Sequence, residues 1–328
     1  MWNRLNWKRL SVAALAAATL TSLPLLHANA QDFPKGKPIS FICAFPPGSG
    51  ADVIVRYFTE KVRPLTGRNI VVENRSGAGG NIAAEYVVRS KPDGFTVYVH
   101  SGSATAGNMH LFKNPPFDVR TALQPVASIS KAPFVLTVLK DHPAKNVQEL
   151  TEILKKKGAA ANYAASATSA KIMGEIYKQR AGLQTVDVSY RTGQDALNDM
   201  LGGRVEFAPF DAAFAQSQAR EGRVRILAVS AGQRTKAMPD IPTMREQGVE
   251  MNQLGWWGGF VAAGTPDPIV QQWNGYFKDL LSRKDVIDFH TQIGADVFIS
   301  TPKETHDLLR ATVDEWAEFV KIAKIPQN

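Results

Sequence analysis

FICAFPPGSGAD, residues 41–52, runs from an apolar stretch into two prolines, a Gly-Ser-Gly turn and an acid. The apolar part, ISFICAF, reads as a buried strand. After the turn, Val55, Phe58, Val62 and Leu65 recur at helical spacing. A strand followed by a glycine turn and a helix is the opening of a parallel βα unit. Such a turn suits three chemistries: a cradled phosphate, a nucleophilic serine, or another bound anion.

Outward from this stretch the same order repeats. NIVVEN is a second strand, followed by the loop RSGAGGN and a helix carrying Ile82, Tyr86 and Val87; FTVYVH is a third strand that ends in SGSATAGN. A second set begins near Ala132. It contains the strands FVLTVL, NYAAS, VDVSY, VEFAPF and RILAVS with helices between them. Beyond Gln233 a proline-rich loop leads to one more strand, GWWGGFVAA. Two helices follow, the last opened by a capping box with Thr301 as N-cap, Pro302 at the first position and Glu304 at the third. The pattern predicts an α/β chain that passes twice between two lobes, residues 31–130 plus 235–328 forming one and 131–234 the other.

The first thirty residues read as a secretory signal. Arg4, Lys8 and Arg9 precede a short apolar run, and Ala28-Asn29-Ala30 fits a cleavage site that leaves Gln31 first. The run is short for a membrane span, and a retained anchor is the alternative. No cysteine stands at the cleavage point, which excludes a lipid anchor there. The chain of 328 residues carries a formal net charge of +8. Loss of the signal removes three positive charges and leaves about +5. The basic residues are scattered, and Lys155–Lys157 reads as a solvated helix end, so nucleic acid is not expected as a partner. Cys43, the single cysteine, excludes an internal disulfide and a thiolate metal site.

Four glycine- or serine-rich loops, residues 46–52, 76–81, 101–108 and 166–169, follow predicted strands and precede helices. Ligands of parallel α/β sheets bind at that edge. Helix N-termini there favour anions through free N–H groups and the dipole. None of the loops has the lysine of a P-loop, and GAGG lacks the full dinucleotide spacing. Ser49 sits in P-G-S-G-A rather than in a nucleophile elbow. The histidines form no H-E-x-x-H, and paired carboxylates are absent from the glycine loops. Catalysis, a metal and a cofactor are therefore not expected. Asp52 reads as a helix cap, and Asp211 as a cap or a ligand contact. His100 reads as a structural or pocket residue, and Arg191 as a surface arginine or a strand-end carboxylate fork. Of Trp256 and Trp257, alternation sends one to the core and the other toward a cleft.

PISFICAFPPGSGADVIVR, VVENRSGAGGNIAAEYVVRSKPDGFTVYV, SYRTGQDALNDMLGGRVEF, ILAVSAGQRTKAMPDIPTMREQG and GFVAAGTPDPIV together resemble the substrate-binding receptors of tripartite tricarboxylate transporters, the Bug family. The resemblance runs from about Pro38 to the C-terminus. It implies a two-lobed periplasmic binding protein fold of type II-like character, each lobe a mainly parallel sheet flanked by helices, that closes on a ligand by hinge motion. It implies a monomer that delivers an organic carboxylate to integral membrane transporter subunits. From one lobe the implied contacts are Phe45, Pro47, Gly48, Ser49 and Asp52 in the first loop, Gly79 and Asn81 in the second, and Ser101 and Ser103 in the third. From the other they are Ser166, Thr168 and Ser169, with Arg191 and Asp211.

Three departures from the family pattern bear on the ligand. Ser49 stands between Gly48 and Gly50 where three glycines are usual. Tyr190-Arg191-Thr192 replaces tyrosine-lysine-glycine, which exchanges a point charge for a flat fork. ASATSA adds the methyls of Ala165 and Ala167. Anion donors at both ends of an apolar space, with Phe45 and Phe210 at strand ends, suit an aromatic dicarboxylate and resemble the terephthalate-binding members. An aliphatic di- or tricarboxylate, an amino acid, a sensor-kinase partner and an exported hydrolase are the alternatives.

Overall fold

The structure, a computed structural model, describes residues 37–327. The expected signal peptide and its expected cleavage after Ala30 lie outside the described residues. The elements, in chain order, begin with β1 (Ile39–Cys43), α1 (Gly50–Thr66), β2 (Ile70–Asn74), α2 (Asn81–Val88), β3 (Thr96–Ser101), α3 (Gly102–Leu111), α4 (Val119–Ala122) and β4 (Leu123–Leu139). Next come α5 (Val147–Lys157), β5 (Asn162–Ala165), α6 (Thr168–Ala181), β6 (Val186–Ser189), α7 (Gly193–Leu201), β7 (Ala208–Asp211), α8 (Ala212–Arg220) and β8 (Val224–Val229). The chain ends with β9 (Leu254–Ala262), α9 (Asp267–Leu281), α10 (Lys284–Gln292), β10 (Asp296–Val297) and α11 (Pro302–Ile322).

The expected α/β order stands, with a mixed central sheet in the order β10-β4-β9-β3-β1-β2. Among the described strands, parallel ladders join β1 to β2 and β3, and β5 to β6 in a separate pair. The long strands β4 and β9 run antiparallel to each other, and β9 runs antiparallel to β3. FVLTVL, read as the start of a new unit, is the second half of the 17-residue β4. Its first half pairs with β9 and, at Ser130 and Lys131, with β10; its second half lies between β7 and β8. Pro125 adjoins a register shift, and Pro133 stands where the pairing with β9 ends. A proline lacks the N–H for a continuous ladder, so these are the places a strand tolerates one.

The core forms where the sequence alternates as expected. Phe41, Val97, Val99 and Phe260 are buried, as are Trp273 and Phe277 of α9. Phe41 packs on Trp273 at 5.7 Å between ring centroids. Beside β5, Tyr163 stacks on Phe207 at 5.2 Å. The capping box of α11 is present: Thr301 Oγ1 accepts from the Glu304 N–H, and Glu304 accepts from the Thr301 N–H. α11 packs on α3, β4 and α6. Its Trp316 lies against Gly107, where an added Cβ would approach the indole to 2.8 Å.

The opening turn is fixed by one buried carboxylate. Asp52 Oδ2 accepts from the Gly48 N–H and from Arg56 Nε, both at 2.9 Å, and Oδ1 accepts from Asn74 Nδ2 at 2.7 Å. Burial pushes the Asp52 carboxyl up, but these hydrogen bonds outweigh it and hold the group at about 2. A depressed carboxylate contributes stability above its unfolded value, and that stability is lost as pH falls through the folded value. The window here is about pH 4 to 2. Asp52→Asn is expected to cost about 1–2 kcal/mol at pH 7, discounted for the half-exposed Arg56. Urea titrations should show the difference between variant and parent shrinking as pH drops through that window. A constant difference would assign the cost to packing instead of charge.

Candidate functional site

Four chain segments approach one cavity of about 860 Å³, the first of them lining it through Phe45. After β1 comes the turn at residues 46–49, with Gly48 at φ +78°. Ser49 caps α1 by accepting from the Asp52 N–H at 3.2 Å. After β2 come Gly77, Ala78, Gly79 and Gly80, four consecutive residues at positive φ. Glycine relieves the strain at three of them. Asn108 Nδ2 holds this loop, donating to Gly79 O at 3.0 Å and to Asn81 Oδ1 at 2.8 Å. After β3, Ser101 caps α3 by accepting from the Ala104 N–H. Ser103 Oγ accepts from the Trp256 N–H at 3.1 Å.

The fourth segment differs. α6 follows β5 after Ser166, and its N-cap is Ala167, in extended conformation with no side-chain hydrogen bond to the helix. An alanine cap leaves the first N–H groups of the helix without a side-chain acceptor. Ala167, Thr168 and Ser169 line the cavity. β5 and β6 are parallel with Ala165 opposite Ser189, and the Tyr190 N–H donates to Ala165 O at 2.8 Å. Arg191 and residues 166–169 therefore leave the same edge of this pair.

The wall between these segments is aromatic. Phe45 stacks on Trp257 with centroids 5.9 Å apart, and His100 lies 5.0 Å from Phe45 and 6.0 Å from Trp257. Both ring nitrogens of His100 lack a partner among the described residues. Burial pushes its pKa down to about 3, so the ring is neutral; it is buried behind Phe45 and Trp257 and does not itself line the cavity. Among the described residues lining the cavity there is no lysine or arginine. Neutral donors, hydroxyls and main-chain N–H groups, are what the cavity offers an anion.

Of the residues expected from sequence, Phe45, Gly79, Ser101, Ser103, Thr168, Ser169 and Asp211 line the cavity. Asp211 caps α8 by accepting from the Phe214 N–H at 2.9 Å, and it also lines the cavity. Both oxygens of Asp52 are taken within the fold and it is 1% exposed, so in this structure it holds the turn together. Gly48 directs its N–H to Asp52, away from any ligand, and Asn81 is buried with its oxygen taken by Asn108. Pro47, Ser49, Ser166 and Arg191 lie outside the lining in this conformation, and Arg191 is exposed.

Sequence reasoning missed Asn108, Ser130, the stretch at Ala132–Phe134, and apolar residues of α1 and α10. It placed one tryptophan in the core and one at a cleft. Trp256 is 2% exposed with Nε1 donating to Thr312 Oγ1, Trp257 is half-buried beside Phe45, and both reach the cavity.

Comparison with known proteins places these features in context. The family model described as "Tripartite tricarboxylate transporter family receptor" matches residues 54–325. The structure is similar to "R. palustris Rpa4515 with adipate", 26% identical with a TM-score of 0.77 over 90% of this chain and 100% of that one. It is similar to the periplasmic binding protein BugD, 27% identical with a TM-score of 0.72 over 89% and 99% of the two chains. It is also similar to MatC from Rhodopseudomonas palustris with bound malate, 26% identical with a TM-score of 0.71 over 86% and 98%.

Proposed function

Because the chain belongs to the tripartite tricarboxylate transporter receptor family, we propose that it is a periplasmic receptor that captures an aromatic carboxylate, with a dicarboxylate such as terephthalate as the representative ligand, and hands it to integral membrane transporter subunits. The observation that carries this reading is the alanine-capped N-terminus of α6 in a cavity walled by Phe45 and Trp257. Free main-chain N–H groups and the hydroxyls of Thr168 and Ser169 suit a carboxylate. The stacked rings of Phe45 and Trp257 in the same lining suit a flat body. Adipate and malate in two similar structures support the carboxylate class.

In this reading the chain forms two lobes, residues 31–130 plus 235–328 and residues 131–234. The loops at 45–52 and 77–81 then face those at 166–169 and 190–191 across the cavity. Closure around the ligand brings Arg191 inward from its exposed rim position. Its guanidinium takes a second carboxylate in a two-point hydrogen bond. Binding stabilises the closed state only through contacts absent from the open one, and Arg191 supplies such a contact.

Arg191→Ala is expected to weaken terephthalate binding tenfold to a hundredfold while leaving the melting temperature of the free protein unchanged. Isothermal calorimetry with terephthalate, adipate and citrate tests both parts of the reading. Unchanged affinity in the variant would remove Arg191 from the site. Saturable binding of none of the three would remove the carboxylate reading itself.

A further inference from the structure

The cavity extends beyond the strand-end loops into an arm formed by three helices. Val53 and Ile54 of α1, Phe289 of α10 with Ile293 just after it, and Ala213 of α8 face it, and none of the five is buried. Phe289 is held in place by stacking on Tyr57, centroids 4.0 Å apart at 18° between planes. α10 reaches α8 through Gly294, where a Cβ would come within 2.7 Å of Ala212. Apolar side chains from three separate helices thus converge on a space continuous with the anion seat. At about 860 Å³ the whole cavity sits near the upper end of the roughly 300–1,000 Å³ typical of drug-sized ligands. That is more space than one benzene ring with two carboxylates fills.

A second carboxylate in this arm would lose its water and meet no cation, because the cavity is lined by no lysine or arginine among the described residues. An alkyl or aryl group there would instead cover apolar surface that the fold leaves exposed. We propose that the arm between α1, α10 and α8 is a subsite for an apolar substituent, so that the preferred ligands are aryl carboxylates bearing an alkyl or aryl tail. This inference rests on the carboxylate-receptor reading of the same cavity and narrows its substrate class.

The test is a calorimetric series of benzoate, 4-methyl-, 4-butyl- and 4-hexylbenzoate beside terephthalate, on the parent protein and on two variants. Each methylene that enters the arm is expected to tighten binding about fourfold until the arm is full. Ala213→Trp, which fills the arm from an exposed helix position, is expected to abolish the gain for butyl and hexyl while leaving benzoate and terephthalate unchanged. Val53→Asn is expected to do the same by placing an uncharged polar group against the tail. Affinities that do not rise with chain length, alongside normal terephthalate binding, overturn the subsite and leave the receptor reading intact. Equal loss of short and long ligands in Ala213→Trp also overturns it, because the arm would then be space the protein covers with itself on closing. Absence of binding across the whole series, terephthalate included, overturns both.

Discussion

Replacing Ala167 by aspartate is expected to raise the melting temperature of the free protein and to abolish carboxylate binding. Both effects come from the same place. Ala167 has the extended backbone of an N-cap, φ −156° and ψ 157°, yet no side chain that can accept from the first turn of α6. Aspartate is among the preferred residues there, and exchanging alanine for it is worth about 0.5–2 kcal/mol. Its carboxylate would accept from the N–H groups that the proposal assigns to the ligand, and its charge would repel an arriving anion. Affinity is expected to fall by about a hundredfold or more, the loss of a charge-assisted contact added to like-charge repulsion. Calorimetry and thermal melting read the two effects separately. Ala167→Gly, which adds no acceptor, is expected to leave binding near the parent value. If Ala167→Asp is stabilised and still binds, the anion seat lies elsewhere in the cavity; if it binds normally without stabilisation, the end of α6 is satisfied by other means.

The second large effect is structural. Gly102 opens α3, and a Cβ built there falls inside the indole of Trp256. Trp256 has little freedom to yield. It is 2% exposed, its N–H donates to Ser103 Oγ, and its Nε1 donates to Thr312 Oγ1 on α11. Overpacking a rigid site costs about 1–3 kcal/mol and more where no neighbour can move. Gly102→Ala is expected at or beyond the top of that range, about 3 kcal/mol by urea denaturation, with weakened ligand binding because Ser101 and Ser103 are displaced too. A loss below about 1 kcal/mol would show that the indole can shift and that its two hydrogen bonds do not fix it.

How far the sequence could be read follows from which signals are local. Caps are local: Asp211 and Thr301, read as caps, accept from first-turn N–H groups of the helices they precede, whereas α1 is capped by Ser49 and not by Asp52. The edges where loops meet strands were legible for the same reason. Ala167 was not, because Ser166 and Thr168 on either side look like better caps; only the residue at which α6 begins decides which side chain takes the role. The continuity of β4 was not legible because Pro125 and Pro133 interrupt the run, yet Pro125 adjoins a register shift and Pro133 stands where the pairing with β9 ends. The arm was hidden because Val53, Ile54 and Ile293 look like ordinary helix residues. Whether such side chains meet a neighbouring layer or an empty space depends on pairings far apart in the chain. Asp52 was placed correctly as a residue of the first turn but not as one turned inward, because its partner Asn74 is supplied by β2.

The 17-residue strand β4 belongs at once to the ladder with β9 and to the ladder with β7 and β8. A heat pulse that frees either end strips hydrogen bonds from the other through a shared ribbon. The described chain should therefore melt as one thermodynamic unit, giving a single endotherm whose van 't Hoff and calorimetric enthalpies agree, as small domains do. Two resolved endotherms would mean that the ribbon can tear at Pro133 without cost to its distant half.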